Sequence, residues 1–162
     1  MTGLLFAVGG ALYVCFELLW RGYSHWTMFV VGGLCFVIIG LLNEHKYTWN
    51  MSLIKQALIS AVIIIIFEFI TGCIVNIWLG WKVWDYSDLP FNLYGQVCLY
   101  YFILWIPLSV VGIVLDDWIR YYLYLLIRMV LPWSLVEERE KPHYTLFRAT
   151  EPETFKRGSG FY

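Results

Sequence analysis

The length of its apolar runs constrains this chain most. Four stretches, at about 3–20, 26–43, 53–79 and 95–115, are apolar over nearly their full length. A helix that crosses the hydrocarbon core needs about 20 such residues. The first two runs are therefore short, and the third is long enough to tilt. Hydrophobic residues make up 60% of 162 residues and charged residues 14%. One domain of that size cannot hide so much apolar surface inside itself, so the bilayer is the expected solvent. The first run lacks a basic leading segment, and Trp20-Arg21 stands where a small-residue cleavage site would fall, so it is expected to be retained.

These runs predict an all-α integral membrane bundle with four spanning helices. A fifth apolar segment, 117–131, differs. Asp117, Arg120, Tyr124 and Arg128 recur in it at helical spacing. That polar stripe predicts a fifth helix lying at the membrane interface, with a fifth span as the alternative. The transmembrane domain is expected over 1–132 and a polar tail over 133–162. Arg21 and Lys82 fall on one side, and Lys46, Lys55, Arg120 and Arg128 on the other. The positive-inside rule then expects a cytoplasmic N-terminus in a bacterial-type plasma membrane. Trp20, Tyr23, Trp26, Trp78, Trp81, Trp84, Tyr86 and Tyr94 gather in the loops of the opposite side, as an aromatic belt would.

Polar residues inside the runs are the candidates for function. Glu68 lies in the most apolar segment of the chain. A charged carboxylate at a helix centre costs about 2.5–3.5 kcal/mol on insertion scales, so it must be neutral, paired or facing water. Gly72 and Asn76 follow at i+4 and i+8 on the same face. The fragment CFELLWRG (15–22) matches IFEFITGC (66–73) in placing Phe-Glu on a helix. At about 1.5 Å per residue, Glu17 and Glu68 reach similar depth. Two helical hairpins related by a pseudo-two-fold along the membrane normal would bring them face to face.

Glu17 has Tyr13 one turn before it and Arg21 one turn after it. An i,i+4 ion pair is the plain reading of Glu17 with Arg21. Arg21 reaching Glu68 or an anionic ligand is the other. His25 in the same loop would titrate near neutral pH. In the third loop, Asp85, Ser87 and Pro90 suit turns. Trp84 lies beside them. Asp85 or Asn92 is expected to cap helix four or to accept from Arg21. Gln96 is expected to bond across the bundle. Gly32, Gly33 and Gly40 suit close helix packing, and the four cysteines suit small core positions. There is no Walker A loop, no HExxH, no GxSxG and no paired-His motif, so neither a catalytic signature nor a metal or cofactor is expected. The near-neutral net charge of −1 excludes the basic footprint of a nucleic-acid partner.

Glu17, WRGYSH (20–25), EFITG (68–72), Asn76, VWDYS (83–87), Pro90, Asn92 and GQVCL (95–99) together resemble the CmpB-like family of ABC-transporter permeases. The resemblance covers most of 17–105. It implies transport, with ATP hydrolysis on another subunit. The chain departs from longer members after Arg21-Gly22. There Ser24-His25-Trp26-Thr27-Met28 and Gly32-Gly33 stand in place of Gly-Pro and Pro-Ile-Tyr-Gly.

Three functions fit these residues. The first is a transporter or permease-like protein whose cavity binds a small molecule or ion through Glu17, Arg21, Glu68, Asn76, Asp85 and Asn92. The second is a structural or partner subunit of a membrane complex, or a homodimer. The third is an intramembrane enzyme acting on a lipid, with paired carboxylates as acid and base. Membrane lipids surround the chain in every case.

Overall fold

The computed structural model describes residues 1–44, 51–131, 141–142, 144 and 146, with backbone alone at 43–44. Helix α1 spans Thr2–Arg21 and α2 spans Trp26–Glu44. Helix α3 spans Leu53–Gly72 and runs on as a π-helical turn, Cys73–Trp78. Two short strands follow, β1 (Asn92–Leu93) and β2 (Val97–Cys98), and then α4, Leu99–Val130. Thr2–Arg21, Leu53–Trp78 and Leu99–Val130 are long and apolar enough to cross a membrane, and the apolar part of α2, Trp26–Leu42, is shorter.

Helices α2, α3 and α4 share one core. Val31, Cys35 and Ile39 of α2 meet Leu53, Ala61 and Ile64 of α3 and Trp105 and Ile113 of α4. Large apolar side chains such as Leu19, Trp78 and Val130 point outward. An aqueous surface would leave that area costly, whereas lipid tails solvate it.

Helix α1 docks on α2 through glycines. A Cβ on Gly9 would overlap the Phe36 side chain, and one on Gly32 would overlap that of Tyr13. Gly10 and Gly33 face the backbone carbonyls of Phe29 and Phe6 in the same way. Lipid tails are as apolar as the helices, so close backbone approach and van der Waals contact must hold the pair. Gly40 meets a different neighbour, the Asp116 carboxylate of α4.

Three expectations are corrected here. Residues 117–131 do not form a separate fifth helix, because α4 continues through them without a break. No glycine or proline interrupts 113–131, so nothing stops the helix at the expected boundary. Nor does most of the polar stripe lie open: Asp117, Arg120 and Tyr124 are buried, as is Asp116 beside them, while Arg128 is half-buried and donates through Nη1 to Tyr124 Oη at 2.7 Å. Arg120 Nε donates to Asp116 Oδ2 at 2.6 Å, and Tyr144 Oη donates to Asp117 Oδ2 at 3.0 Å. Partners of this kind allow charged groups to be buried. The start of α4 also moves, from 95 to Leu99, because residues 92–98 form a hairpin. Gly95 takes φ +67°, and the Ser87 and Asp85 side chains would collide with any Cβ there.

The tail expected over 133–162 lies almost wholly outside the described residues. Of the part that is described, Leu146 accepts a backbone bond from Ile54 N at 3.3 Å.

Gly32→Ala and Gly9→Ala are each expected to lower Tm in detergent, by an overpacking cost of about 1–3 kcal/mol. Gly112 has open space around its Cβ position. Gly112→Ala is expected to leave Tm unchanged or raise it, through helix propensity. Equal effects at all three positions would show that the α1–α2 contact is not close.

Candidate functional site

Glu68 sits where three helices meet. It lies on the buried stripe of α3 with Ser60, Ile64 and Gly72 and is 3% exposed. Tyr13 Oη of α1 donates to its Oε1 at 2.6 Å, and Trp105 Nε1 of α4 donates to its Oε2 at 3.0 Å. The Tyr13 and Trp105 rings stack with centroids 5.4 Å apart. Both carboxyl oxygens therefore accept a bond inside the bundle, as a buried polar group requires.

One turn along α1 from Tyr13, Glu17 accepts from Arg21 Nη2 at 2.5 Å and from Ser24 Oγ at 2.5 Å. Arg21 also donates to the carbonyls of Tyr23 (3.2 Å) and Val83 (3.4 Å), and its guanidinium lies over the Tyr23 ring. The i,i+4 pair read from the sequence is thus present. Among the described residues no bond joins Arg21 to Asp85, Asn92 or Glu68; Glu17 is its acidic partner.

These groups open onto one cavity. Glu17, Arg21 and Glu68 supply its polar wall, and Tyr13, Phe16, Trp20, Tyr86, Tyr101 and Trp105 supply its aromatic wall. Tyr86 stacks on Tyr101 at 4.5 Å, and Trp20 Nε1 donates to Tyr101 Oη at 3.3 Å. Burial, and next the Glu68 carboxylate, push the Tyr86 phenol well above its ordinary range, so it presents a neutral hydroxyl. The space open to a water-sized centre is ≈ 30 Å³. A single water needs about 10–15 Å³ by that measure, so the cavity takes a water or two or a bare ion. Drug-sized ligands occupy pockets of about 300–1,000 Å³.

The other expected site residues lie elsewhere. Asn76 Nδ2 donates to Gln96 Oε1 at 2.8 Å, and Asn76 Oδ1 accepts from Val83 N at 2.6 Å. Buried Trp84 donates through Nε1 to the Gln96 carbonyl at 2.9 Å. Asn76, Trp84 and Gln96 therefore bind the third loop to the π turn, and none of them lines the cavity. Trp84 is not a belt residue either, since it is 5% exposed.

Asp85 closes a local turn, accepting at Oδ1 from Ser87 N (2.9 Å) and Ser87 Oγ (2.6 Å). Asn92 donates to the carbonyls of Ser87 and Leu89 and accepts from Gly95 N. Neither residue caps α4, whose first residue follows Cys98 without a side-chain cap. His25 lies against Trp26 and Trp81, with Nδ1 2.9 Å from Thr27 Oγ1. Of nine expected residues, the cavity gathers Glu17, Arg21 and Glu68.

The sequence reading gave Trp105 and Tyr101 no role, took Tyr86 as a belt residue and noted Ser24 only where the chain departs from the family. Tyr13 was visible as the residue one turn before Glu17, but its bond to Glu68 was not. Trp105 sits in an apolar run where an indole N–H must find an acceptor, and that need was the only signal available.

Two outcomes are expected for the loop. The bonds from Ser87 hold the Asp85 carboxyl below its usual range. A group depressed on folding stabilises above its unfolded pKa, about 3.9 for Asp, and the effect disappears as pH falls through the lower folded value. Hydrogen-exchange protection of Ser87 N is therefore expected to persist below pH 4 in wild type and to be absent at any pH in Asp85→Ala. Asn76→Ala removes two bonds that hold the loop. It is expected to make 79–98 protease-sensitive while Tm falls by only a few degrees, and an unchanged cleavage rate would reject the brace.

The chain matches no curated protein and no solved structure. A family model does match, over residues 4–136, and that span includes every cavity residue and the whole loop. On that match the chain belongs to the family described as Putative ABC-transporter type IV.

Proposed function

We propose that this chain is the membrane component of a transport system and that Glu17, Arg21 and Glu68 form its exchange site for a small cation or a proton. Family membership supports a transport role in a membrane complex. The observation that carries the site is Glu68 itself. It is buried among apolar helices, both oxygens accept from neutral donors, and it opens onto a cavity shared with a second carboxylate. A carboxylate so placed is a functional group by default in a membrane. The size of the cavity favours a proton or a bare alkali cation over the organic cation that the aromatic wall alone would suggest.

In this reading α2 crosses the membrane beside α1, because glycines hold the two together along their length. The sequence contains no Walker A loop, so ATP hydrolysis would come from a partner chain. The Lys and Arg distribution supports a cytoplasmic N-terminus in a plasma membrane.

One observation favours a second reading. Tyr13 and Trp105 bind Glu68 from two different helices, as a structural lock would. The test is the Tm of the purified protein across Li⁺, Na⁺, K⁺ and pH, for wild type and Glu68→Gln. The exchange reading expects a cation- or pH-dependent shift of several degrees in wild type that Glu68→Gln abolishes. If wild type does not respond and Glu68→Gln lowers Tm equally under all conditions, Glu68 is a lock.

A further inference from the structure

The two donors that hold Glu68 differ in chemistry. Trp105 Nε1 donates to Oε2 at 3.0 Å, and an indole N–H has no lone pair with which to accept. Tyr13 Oη donates to Oε1 at 2.6 Å, and a phenol oxygen can also accept. Neither ring is free to swing away. Trp105 is buried, Tyr13 stacks on it at 5.4 Å, and the Tyr13 Cβ packs on Gly32. A change of state at Glu68 is therefore met by the hydrogens of these groups rather than by movement of the rings.

For that reason the two oxygens of Glu68 are not equivalent. A proton on Oε2 would turn the acceptor that Trp105 needs into a donor. A proton on Oε1 meets the Tyr13 oxygen, which accepts it while the Tyr13 hydrogen turns into the cavity that Glu17 also lines. Oε2 is then a neutral carbonyl oxygen that still accepts from Trp105. Bonds to a charged group are roughly twice as strong as neutral ones. Removing the indole N–H takes one charge-assisted bond from the carboxylate and one neutral bond from the acid, so the carboxylate loses more. Removing the phenol hydroxyl takes one charge-assisted bond from the carboxylate and two neutral bonds from the acid, and these nearly cancel. The titratable and charged groups that face Glu68 are Tyr13, Glu17 and Arg21 of α1, Cys35 of α2, Tyr86 of the third loop and Tyr101 of α4. Glu17 is held by Arg21 and Ser24, and its charge cancels that of Arg21. The charge of the cavity thus follows Glu68.

We propose that Trp105 and Tyr13 set the choice of Glu68 between a proton and an alkali cation. Trp105 favours the carboxylate that a cation requires, and Tyr13 serves the carboxylate and the acid alike. The cation half rests on the reading of Glu68 as an exchange site, and the roles of the two donors do not. A proton taken from the cavity resides on Oε1 and returns to the cavity when a cation displaces it. The Oε1–H bond is the one covalent bond made and broken.

The test is infrared difference spectroscopy of the full chain in lipid nanodiscs across pH. The carboxylic C=O band of Glu68 is identified by its loss in Glu68→Gln. Its midpoint is read for wild type, Trp105→Phe, Tyr13→Phe and Trp84→Phe. The first two variants keep an aromatic ring and lose the donor. Trp84→Phe removes an indole bond of the same kind outside the cavity, 2.9 Å long, to the Gln96 carbonyl. Trp105→Phe is expected to raise the midpoint by about half a pH unit or more, the difference between a charge-assisted and a neutral bond. Tyr13→Phe and Trp84→Phe are expected to lower Tm and to keep the midpoint within about 0.2 units of wild type. One unit below the wild-type midpoint, Trp105→Phe is expected to need about threefold more Na⁺ or K⁺ for half-saturation, the same half unit. An unchanged midpoint in Trp105→Phe, or an equal rise in all three variants, overturns the proposal. Wild type alone also decides it. The indole N–H NMR resonance of Trp105 is expected to move with the midpoint of the Glu68 band, and a resonance that stays fixed overturns the proposal without any variant having to fold. A wild-type band that ignores both Na⁺ and K⁺ overturns the exchange reading, while the midpoints still decide the roles of the donors.

Discussion

Placing a carboxyl group inside an apolar helical bundle sets a demand that the rest of this structure meets. Glu68 is only 3% exposed on α3, so donors must come from neighbouring helices. Tyr13 and Trp105 provide them from α1 and α4. For a tyrosine of α1 to arrive there, α1 must lie close to the core helices. The glycine contacts with α2 bring it there, and Tyr13 itself packs on Gly32. A site residue is thus also part of the helix-packing contact, which couples the shape of the cavity to the packing of α1.

The same logic governs the loop end. In the π turn after Gly72, Asn76 faces the loop. Asn76, Gln96 and Trp84 then satisfy one another and the loop backbone. This bracing sets Tyr86 over Tyr101 and Val83 O against Arg21. The loop residues support the cavity from behind. Their motif, which carries the family resemblance, supplies the hydrogen bonds that fold the loop.

At the other end of the bundle, burial of Asp116, Asp117 and Arg120 obeys the rule that charges leave water together. Those residues sit on one continuous helix with Trp105. The polar groups of both ends therefore share a single helix, with Pro107 between them.

Much of the architecture was legible from the sequence because one-dimensional signals carry it. Apolar length located α1, α3 and α4, and i,i+4 spacing located the Glu17–Arg21 pair, since both depend only on local helix geometry. The rarity of a carboxylate in an apolar run marked Glu68. Tertiary structure decided what those signals leave open. A polar stripe at helical spacing reads the same whether it faces water or pairs inside the bundle, so 117–131 was expected at the interface. Asp85 and Asn92 had side chains suited to a site, but their acceptors and donors lay within the loop itself. Trp105, Tyr86 and Tyr101 are apolar by count and became site residues only when folding set them around the cavity that Glu17 and Glu68 line. The sequence determined that a carboxyl group would stand in the most apolar helix of the chain. Only the packing of α1 and α4 against α3 decided which groups answer it, because hydrogen bonds depend on distances between segments that are far apart along the chain.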